Sequence, residues 1–331
     1  MKRQAIEGVN LGGWLVLERW MTPTVFEGTD AEDEYSLSLL DDAKTRIDQH
    51  RQTFIAEDDW QWLSNQGVTQ VRLPVGYWVL GDETPFFGAQ KYLDWAFVMA
   101  EKYNIQILLD LHGLKGSQNG EMHSGRIGQV KWKKYEDDHI AILTKLARRY
   151  KDSPALWGIE IINEPTVRGN YFALLRYYRR SYKVLRAIID PGTYVIFHDG
   201  FLPPLFSGAL LPRKGYPVVM DTHFYGVFPG LLRNVRPEKY DKVRRLIFMP
   251  IIWFVQLMQP VIVGEWSSVL PQSFFNRIPE AQHPQLLGQT IKRQRRMYRH
   301  ALATFYWNYK TEGRGMFHYR SLIEDGVITK I

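Results

Sequence analysis

Two glutamates, Glu164 and Glu265, each close a short aliphatic run. The first ends "LWGIEIINE", ahead of Pro165, and the second ends "PVIVGE", ahead of Trp266. A run of β-branched and aliphatic residues that stops at a carboxylate reads as a buried parallel strand delivering an acid to its C-terminal mouth. Two such carboxylates are what cleavage of a glycosidic bond requires. One protonates the leaving oxygen, and the other attacks the anomeric carbon or activates water.

Other polar groups recur where strands are expected to stop. Arg72 falls in "VRLP", His112 in "LLDLHG", Asn163 beside Glu164 in "INEP", His223 and Tyr225 in "DTHFYG", and Trp307 in "FYWNYK". Any one of these has an ordinary structural reading: an ion pair on a rim, a satisfied core histidine, a packed indole. Their convergence on strand ends is what a shared mouth predicts. Trp14 and Trp78 read equally well as core or as ligands, and His123 reads as a loop residue with no catalytic part.

The elements that must position these groups alternate from end to end. Strands are expected at 5–10, 68–73, 105–111, 156–163, 194–198, 218–223, 261–265 and 303–307. Helices are expected at 54–66, 92–103, 132–150, 171–189, 237–258 and 284–300. Strict alternation implies a parallel sheet, and eight strands make a (β/α)8 TIM barrel the economical fold. No Pro/Gly/Ser-rich linker divides the 331 residues, so one domain over 1–331 is expected, with long loops after strands 1, 3 and 6 at the C-terminal face.

Composition narrows the classes. Hydrophobic residues at 45% and charged residues at 23% suit a large core rather than disorder. With no cysteine, disulfides and thiolate metal sites are excluded. The histidines show no HxH or HExxH spacing, so neither metal nor cofactor is expected. The net charge of +7 gathers at 176–186 and 292–299 in helix-like segments, read as solvated faces rather than a nucleic-acid footprint. The stretch Leu246 to Gly264 approaches the length of a membrane span, but Pro250, Pro260, Gln256 and Gln259 interrupt it. It reads as the end of a buried helix followed by a strand. A peripheral membrane contact aided by Lys242, Arg244 and Arg245 is the lesser reading. The N-terminus lacks an apolar signal region, which makes cytoplasmic residence the expectation.

The ordered motifs resemble glycoside hydrolase family 5, retaining enzymes with an acid/base after strand 4 and a nucleophile after strand 7. "GVNLGGWLVLERWMTPTVFEG", "LPVGYW", "LHGLKGSQNGEMHSG", "IEIINEP", "VIVGEWS" and "WNYKTEG" are similar to the exo-1,3-β-glucanase branch in order and spacing. The resemblance implies Glu164 as acid/base, protonated at rest, and Glu265 as ionised nucleophile, held low by Arg72 and Tyr225, with their carboxyls ~5–5.5 Å apart. It implies Asn163 on the sugar 2-hydroxyl, Trp307 as the floor under the reacting ring, and His112 and His223 as orienting groups. Glu18 would close the pocket at the non-reducing end, and Phe228 would be one jaw of a clamp on the next sugar. Asn119, in the loop, reads as a turn former first and a ligand second. Glu121 departs from the pattern, standing where that branch commonly carries the other aromatic jaw. The implied partner is a β-glucan or β-glucoside. The same pattern leaves open a β-glucosidase, a 1,4-glucanase, a glycolipid glucosidase or a lapsed carbohydrate-binding protein.

Overall fold

The computed structural model describes residues 5–225 and 237–329. Eight strands close into one parallel barrel in chain order: β1 Ile6–Asn10, β2 Gln70–Gly76, β3 Gln106–Gly113, β4 Leu156–Glu160, β5 Tyr194–His198, β6 Val218–Phe224, β7 Val261–Trp266 and β8 Ala303–Tyr306. The ring is sealed where Ile6 to Val9 of β1 register with Ala303 to Tyr306 of β8. A helix follows every strand: α1 Glu57–Asn65, α2 Gln90–Lys102, α3 Glu136–Tyr150, α4 Tyr171–Arg186, α5 Pro203–Phe206, α6 Pro237–Gln256, α7 His283–Tyr298 and α8 Tyr319–Glu324. The expected alternation is therefore the observed one.

Period two along each strand sorts the barrel interior into layers. Leu108, Ile196, Val219, Ile262, Ala303 and Phe305 form an apolar plug at its lower end. Two residues further along the same faces stand Asp110, His198 and Asp221, and two further on β3 and β6 stand His112 and His223. The barrel thus changes from oil to charge over one step of the pleat. Outward-facing residues such as Val71, Leu73, Ile107, Leu109, Val195 and Val263 join the continuous core beneath the helices.

The helices follow from sequence in the same way. In α3, Ile142, Leu143, Leu146, Ala147 and Tyr150 are buried on one face. Glu136, Asp137 and Asp138 occupy its first turn and Arg148 and Arg149 its last, complementing the helix dipole. The basic cluster on α4 is largely taken up in structure. Arg176 and Arg180 pair with Glu136 of α3, Arg180 also with Asp137, and Arg186 donates to the carbonyls of Thr193 and Pro217.

Two expectations are corrected here. Strand β2 does not stop near Arg72; it runs through Pro74 to Gly76, so Arg72 is a fully buried mid-strand residue. The stretch at the end of α6 is not the end of a buried helix. Ile252 and Val255 are buried, but Leu246, Trp253, Phe254 and Leu257 are exposed. Among the described residues, no helix is long and apolar enough to cross a membrane.

Candidate active site

The strands' C-terminal ends open into a cleft of about 960 Å³ whose lining includes Glu18, His112, Asn119, Glu164, His223, Tyr225, Glu265 and Trp307. A larger hollow of about 1290 Å³ lies at the opposite end of the barrel, between β1 and α7, lined by Glu7, Lys292 and Arg295 among others. The smaller cleft is the one that holds both glutamates, and loops at this end are where such barrels carry chemistry.

Arg72 is the keel of the site. Its guanidinium reaches Glu160 Oε2 at 2.8 Å, Asp110 Oδ2 at 3.0 Å and Glu265 Oε1 at 3.0 Å. It also donates to Asn163 Oδ1 at 2.8 Å and Asn10 Oδ1 at 3.1 Å. A buried guanidinium is costly unless its donors are taken up, and here they are. The cation fixes the nucleophile candidate and the amide of Asn163 relative to one another.

Glu265 is placed by a break in register. β6 and β7 shift between Thr222 and His223, which re-aims the chain just before the carboxylate. The preceding Gly264 is obligatory: a Cβ there would stand 1.9 Å from Asp221 Oδ2, and its amide donates to Asp221 Oδ1 at 2.6 Å. Glu265 Oε2 then accepts the Tyr225 hydroxyl at 2.6 Å.

Glu164 lies four residues beyond the observed end of β4, in a left-handed backbone conformation (φ 41°) that a residue with a side chain adopts only under constraint. The constraint is visible. Its carbonyl accepts Asn119 Nδ2 at 3.0 Å, and its carboxylate lies 2.6 Å from His223 Nδ1 and 3.3 Å from His123 Nε2.

The same His223 Nδ1 is 3.6 Å from Glu265 Oε2. One ring nitrogen therefore touches an oxygen of each carboxylate. These two oxygens cannot be further apart than the two contacts together, a bound that admits the ~5–5.5 Å of a retaining pair.

Electrostatics run against two expectations, a protonated Glu164 and a Glu265 held low by Arg72 and Tyr225. Burial alone would raise Glu164, but the hydrogen bond and charge of His223 carry it down to about 2. Burial raises Glu265, aided by the Glu164 charge, and His223, Arg72 and Tyr225 offset this only in part, leaving it at about 7. His223 is buried, which disfavours its charge. Even so, Glu265, Asp221 and Glu164 around it lift it well above the usual imidazole range. These directions favour a proton on His223, which lies between Glu164 on one side and Asp221 at 3.3 Å on the other, over one on Glu164.

The remaining expected residues find distinct places. His112 gives its Nδ1 to Asp110 at 2.6 Å, burial holds it neutral, and its ring lies parallel to Trp307 with centroids 5.7 Å apart. Trp307 lies flat because Gly12 lacks a side chain; a Cβ there would be 2.7 Å from its ring. Glu18 is buried, accepts Trp20 Nε1 at 2.8 Å, and is raised to about 7 by desolvation. The loop carrying it is pinned by the buried pair Glu34–Arg51, with Glu34 also accepting the Leu17 amide. Asn163 is fully buried, with Nδ2 3.3 Å from His112 Nε2. Asn119 is both turn former and site residue, its Oδ1 accepting the Glu121 amide. Phe228 lies outside the described residues. Trp14 and Trp78 are core: one donates to the Arg51 carbonyl, the other to Glu34.

Sequence reading passed over several groups. His123, set aside as a loop residue, is brought to Glu164 by the turn Met122–Ser124. Asp110, Glu160 and Asp221 form the acid layer under the mouth; Asp110 is pushed up to about 7 by burial, against Arg72. Their signal was available: two of them stand two residues before His112 and His223, on the same strand face. Two trios, Glu164–His198–His223 and Glu160–Asp221–His223, bring metal-ligand atoms within 4.8 Å of one another. Both of them use His223, whose ring nitrogens are taken up by Glu164 and Asp221.

Residues 40–313 match the family model described as cellulase, glycosyl hydrolase family 5. The chain belongs to this family. Within it, the chain is similar to a probable glucan 1,3-beta-glucosidase A of Aspergillus fumigatus, 38% identical over 278 residues that cover 80% of this chain and 65% of that protein. A glucan 1,3-beta-glucosidase of Blumeria graminis is 37% identical over 68% of this chain and 56% of its own length. The chain thus spans less than two thirds of the length of each of these two relatives. Among solved structures, a rutinosidase from Aspergillus niger superposes with a TM-score of 0.82 at 20% identity, covering 98% of both chains. An endoglucanase of Pseudomonas stutzeri does so at 0.61 and 18%, covering 98% of this chain and 93% of that one. These likenesses confirm the barrel.

Proposed function

We propose that this family 5 chain is a retaining glycoside hydrolase that removes glucose from the non-reducing end of a β-1,3-glucan. The observation that carries the reading is the single His223 nitrogen in contact with both Glu164 and Glu265. Two carboxylates gathered at one ring nitrogen fit the short separation that double displacement uses.

In the first step Glu265, ionised and steadied by Arg72 and Tyr225, attacks the anomeric carbon. The proton held across the Glu164–His223 contact passes to the leaving oxygen through Glu164. Once Glu265 is esterified its charge is gone, and Glu164 takes a proton from the incoming water. Asn163, oriented by Arg72, supplies an amide to the 2-hydroxyl, where a hydrogen bond strengthens as the transition state develops. Trp307 carries the ring from below, and His112 and Asn119 orient hydroxyls. Glu18, propped by Trp20, closes the end of the pocket and favours attack from a chain terminus. The 1,3 linkage is supported by the similarity to the Aspergillus and Blumeria proteins.

A second reading, a glucosidase acting on a lipid-linked glucoside, is favoured by the apolar wall that Phe201, Leu202 and Ile251 give the cleft. Incubation with β-1,3- and β-1,4-linked glucose oligomers and with a glucosylated lipid separates the two. Glucose released alone from 1,3-linked chains supports the first reading. Mixed oligomers from the outset refute exo action. Binding without turnover of an activated aryl β-glucoside would mark a lapsed enzyme.

A further inference from the structure

Helix α6 is amphipathic the wrong way round for a barrel helix. Ile252 and Val255 face the barrel, while the outward side carries Leu246, Ile247, Trp253 and Phe254, with exposed Leu257 and Met258 in the turn just past its end. These recur at the spacing of one helical stripe, with Pro250 exposed between them. Trp253 is 65% exposed and Leu257 63%, so the stripe is not a half-buried margin. Between residues 246 and 258 the sequence has no charged residue.

The stripe has neighbours. Met258 and Leu211 both come within 4 Å of the Cβ position of Gly208, so exposed Leu211 extends the patch sideways. Helix α5 packs on α6, and its exposed Leu205 continues the patch toward Leu202, Phe201 and Ile251 on the cleft wall. Isolated exposed apolar residues are ordinary, but a contiguous patch of this kind marks an interaction surface.

Charge selects the partner. Exposed Lys239, Lys242 and Arg245 lie at the amino end of the stripe, and exposed Arg213 and Lys214 follow Leu211 near its other end. A second copy of the chain docking here by two-fold symmetry would set cations against cations in either direction. An anionic bilayer satisfies both parts at once, with acyl chains for the apolar stripe, lipid phosphates for its cationic ends, and the headgroup boundary for Trp253.

We propose that the outer face of α6 docks the protein on an anionic lipid bilayer, with the helix lying in the interface and the cleft mouth opening beside it. Docking does not depend on the chemistry of the cleft.

The test is flotation of the full chain with vesicles of phosphatidylcholine, with and without phosphatidylglycerol. Binding should require the anionic lipid and weaken at high salt. The double variant Trp253→Glu/Leu257→Glu and, separately, Lys239→Glu/Lys242→Glu should each reduce vesicle partitioning ~10-fold or more. Both should keep the parent's melting temperature and its turnover of a soluble aryl β-glucoside, since all four positions are exposed and none lines the cleft. Absence of binding to anionic vesicles would overturn the proposal, as would unchanged binding by the Trp253/Leu257 variant. A parent that dimerises through this face without binding vesicles would likewise overturn it and assign the surface to self-association.

Discussion

His223 Nδ1 lies 2.6 Å from Glu164 Oε1, closer than any other described ring nitrogen to that carboxylate, and in the proposed mechanism the proton between them is the one transferred. The contact ties the charge of Glu164 to that of His223, and through the 3.6 Å approach to Glu265 it ties all three together.

The pH dependence follows with its sign. Glu265 is raised to about 7, so lowering the pH protonates the nucleophile, and kcat/KM should fall by up to ~10-fold per pH unit on the acid side. His223 is raised well above its usual range, so the alkaline loss should come only as that imidazolium gives up its proton. A pH–rate profile with an aryl β-glucoside reads both limbs. Rates that stay flat from neutrality down to pH ~4.5, the ordinary range of a glutamate, would show that Glu265 is not raised.

Replacing either carboxylate by its amide separates the two roles. Glu265→Gln should reduce turnover by at least ~10³ with every substrate, because no nucleophile remains. Glu164→Gln should do the same with a glucan but be partly spared by an aryl glucoside whose leaving group needs no proton. Either variant retaining more than a tenth of the parent rate on a glucan would reject the assignment.

Gly12 sets the tilt of Trp307. In Gly12→Ala the new methyl would meet the indole, so the ring must move and the sugar platform with it. kcat/KM should drop ~10- to 100-fold, since misplacement by about an ångström is enough for such a loss. A variant with wild-type kinetics would show that Trp307 is packing rather than platform.

Glu121 stands exposed on the cleft rim. Glu121→Phe would supply an aromatic face beyond the cleavage point, at a gain of ~0.5–1.5 kcal/mol. KM for a 1,3-linked trisaccharide should fall a few-fold, with no change for an aryl glucoside. An equal change for both would place Glu121 at the reacting sugar instead.

Most of the frame was legible because period and length betray strands, and every observed strand overlaps an expected one. Glu164 and Glu265 were legible because packing alone seldom puts a carboxylate at the end of an aliphatic run. What escaped did so for physical reasons. Arg72 read as a strand end because Pro74 follows it, yet β2 continues through that proline. Asp110, Glu160 and Asp221 sit inside hydrophobic runs, where only the layered barrel interior accounts for a charge. His123 reaches Glu164 through the folding of the loop after β3, which no local pattern encodes. The apolar content of α6 was read as burial, whereas its exposed stripe becomes apparent only once the opposite face is seen against the barrel. The resting place of the proton depended on His223, Glu164 and Glu265 meeting at one nitrogen, a purely tertiary fact.

The most direct measurement is peptide mass spectrometry after incubation with an activated 2-deoxy-2-fluoro-β-glucoside, which slows release of a covalent glycosyl intermediate more than its formation. The expected result is one fluoroglucosyl adduct per chain, on Glu265, with activity lost in proportion and recovered slowly as the adduct turns over. A label on Glu164, or full turnover of glucosides with no adduct on Glu265, would contradict double displacement across this pair.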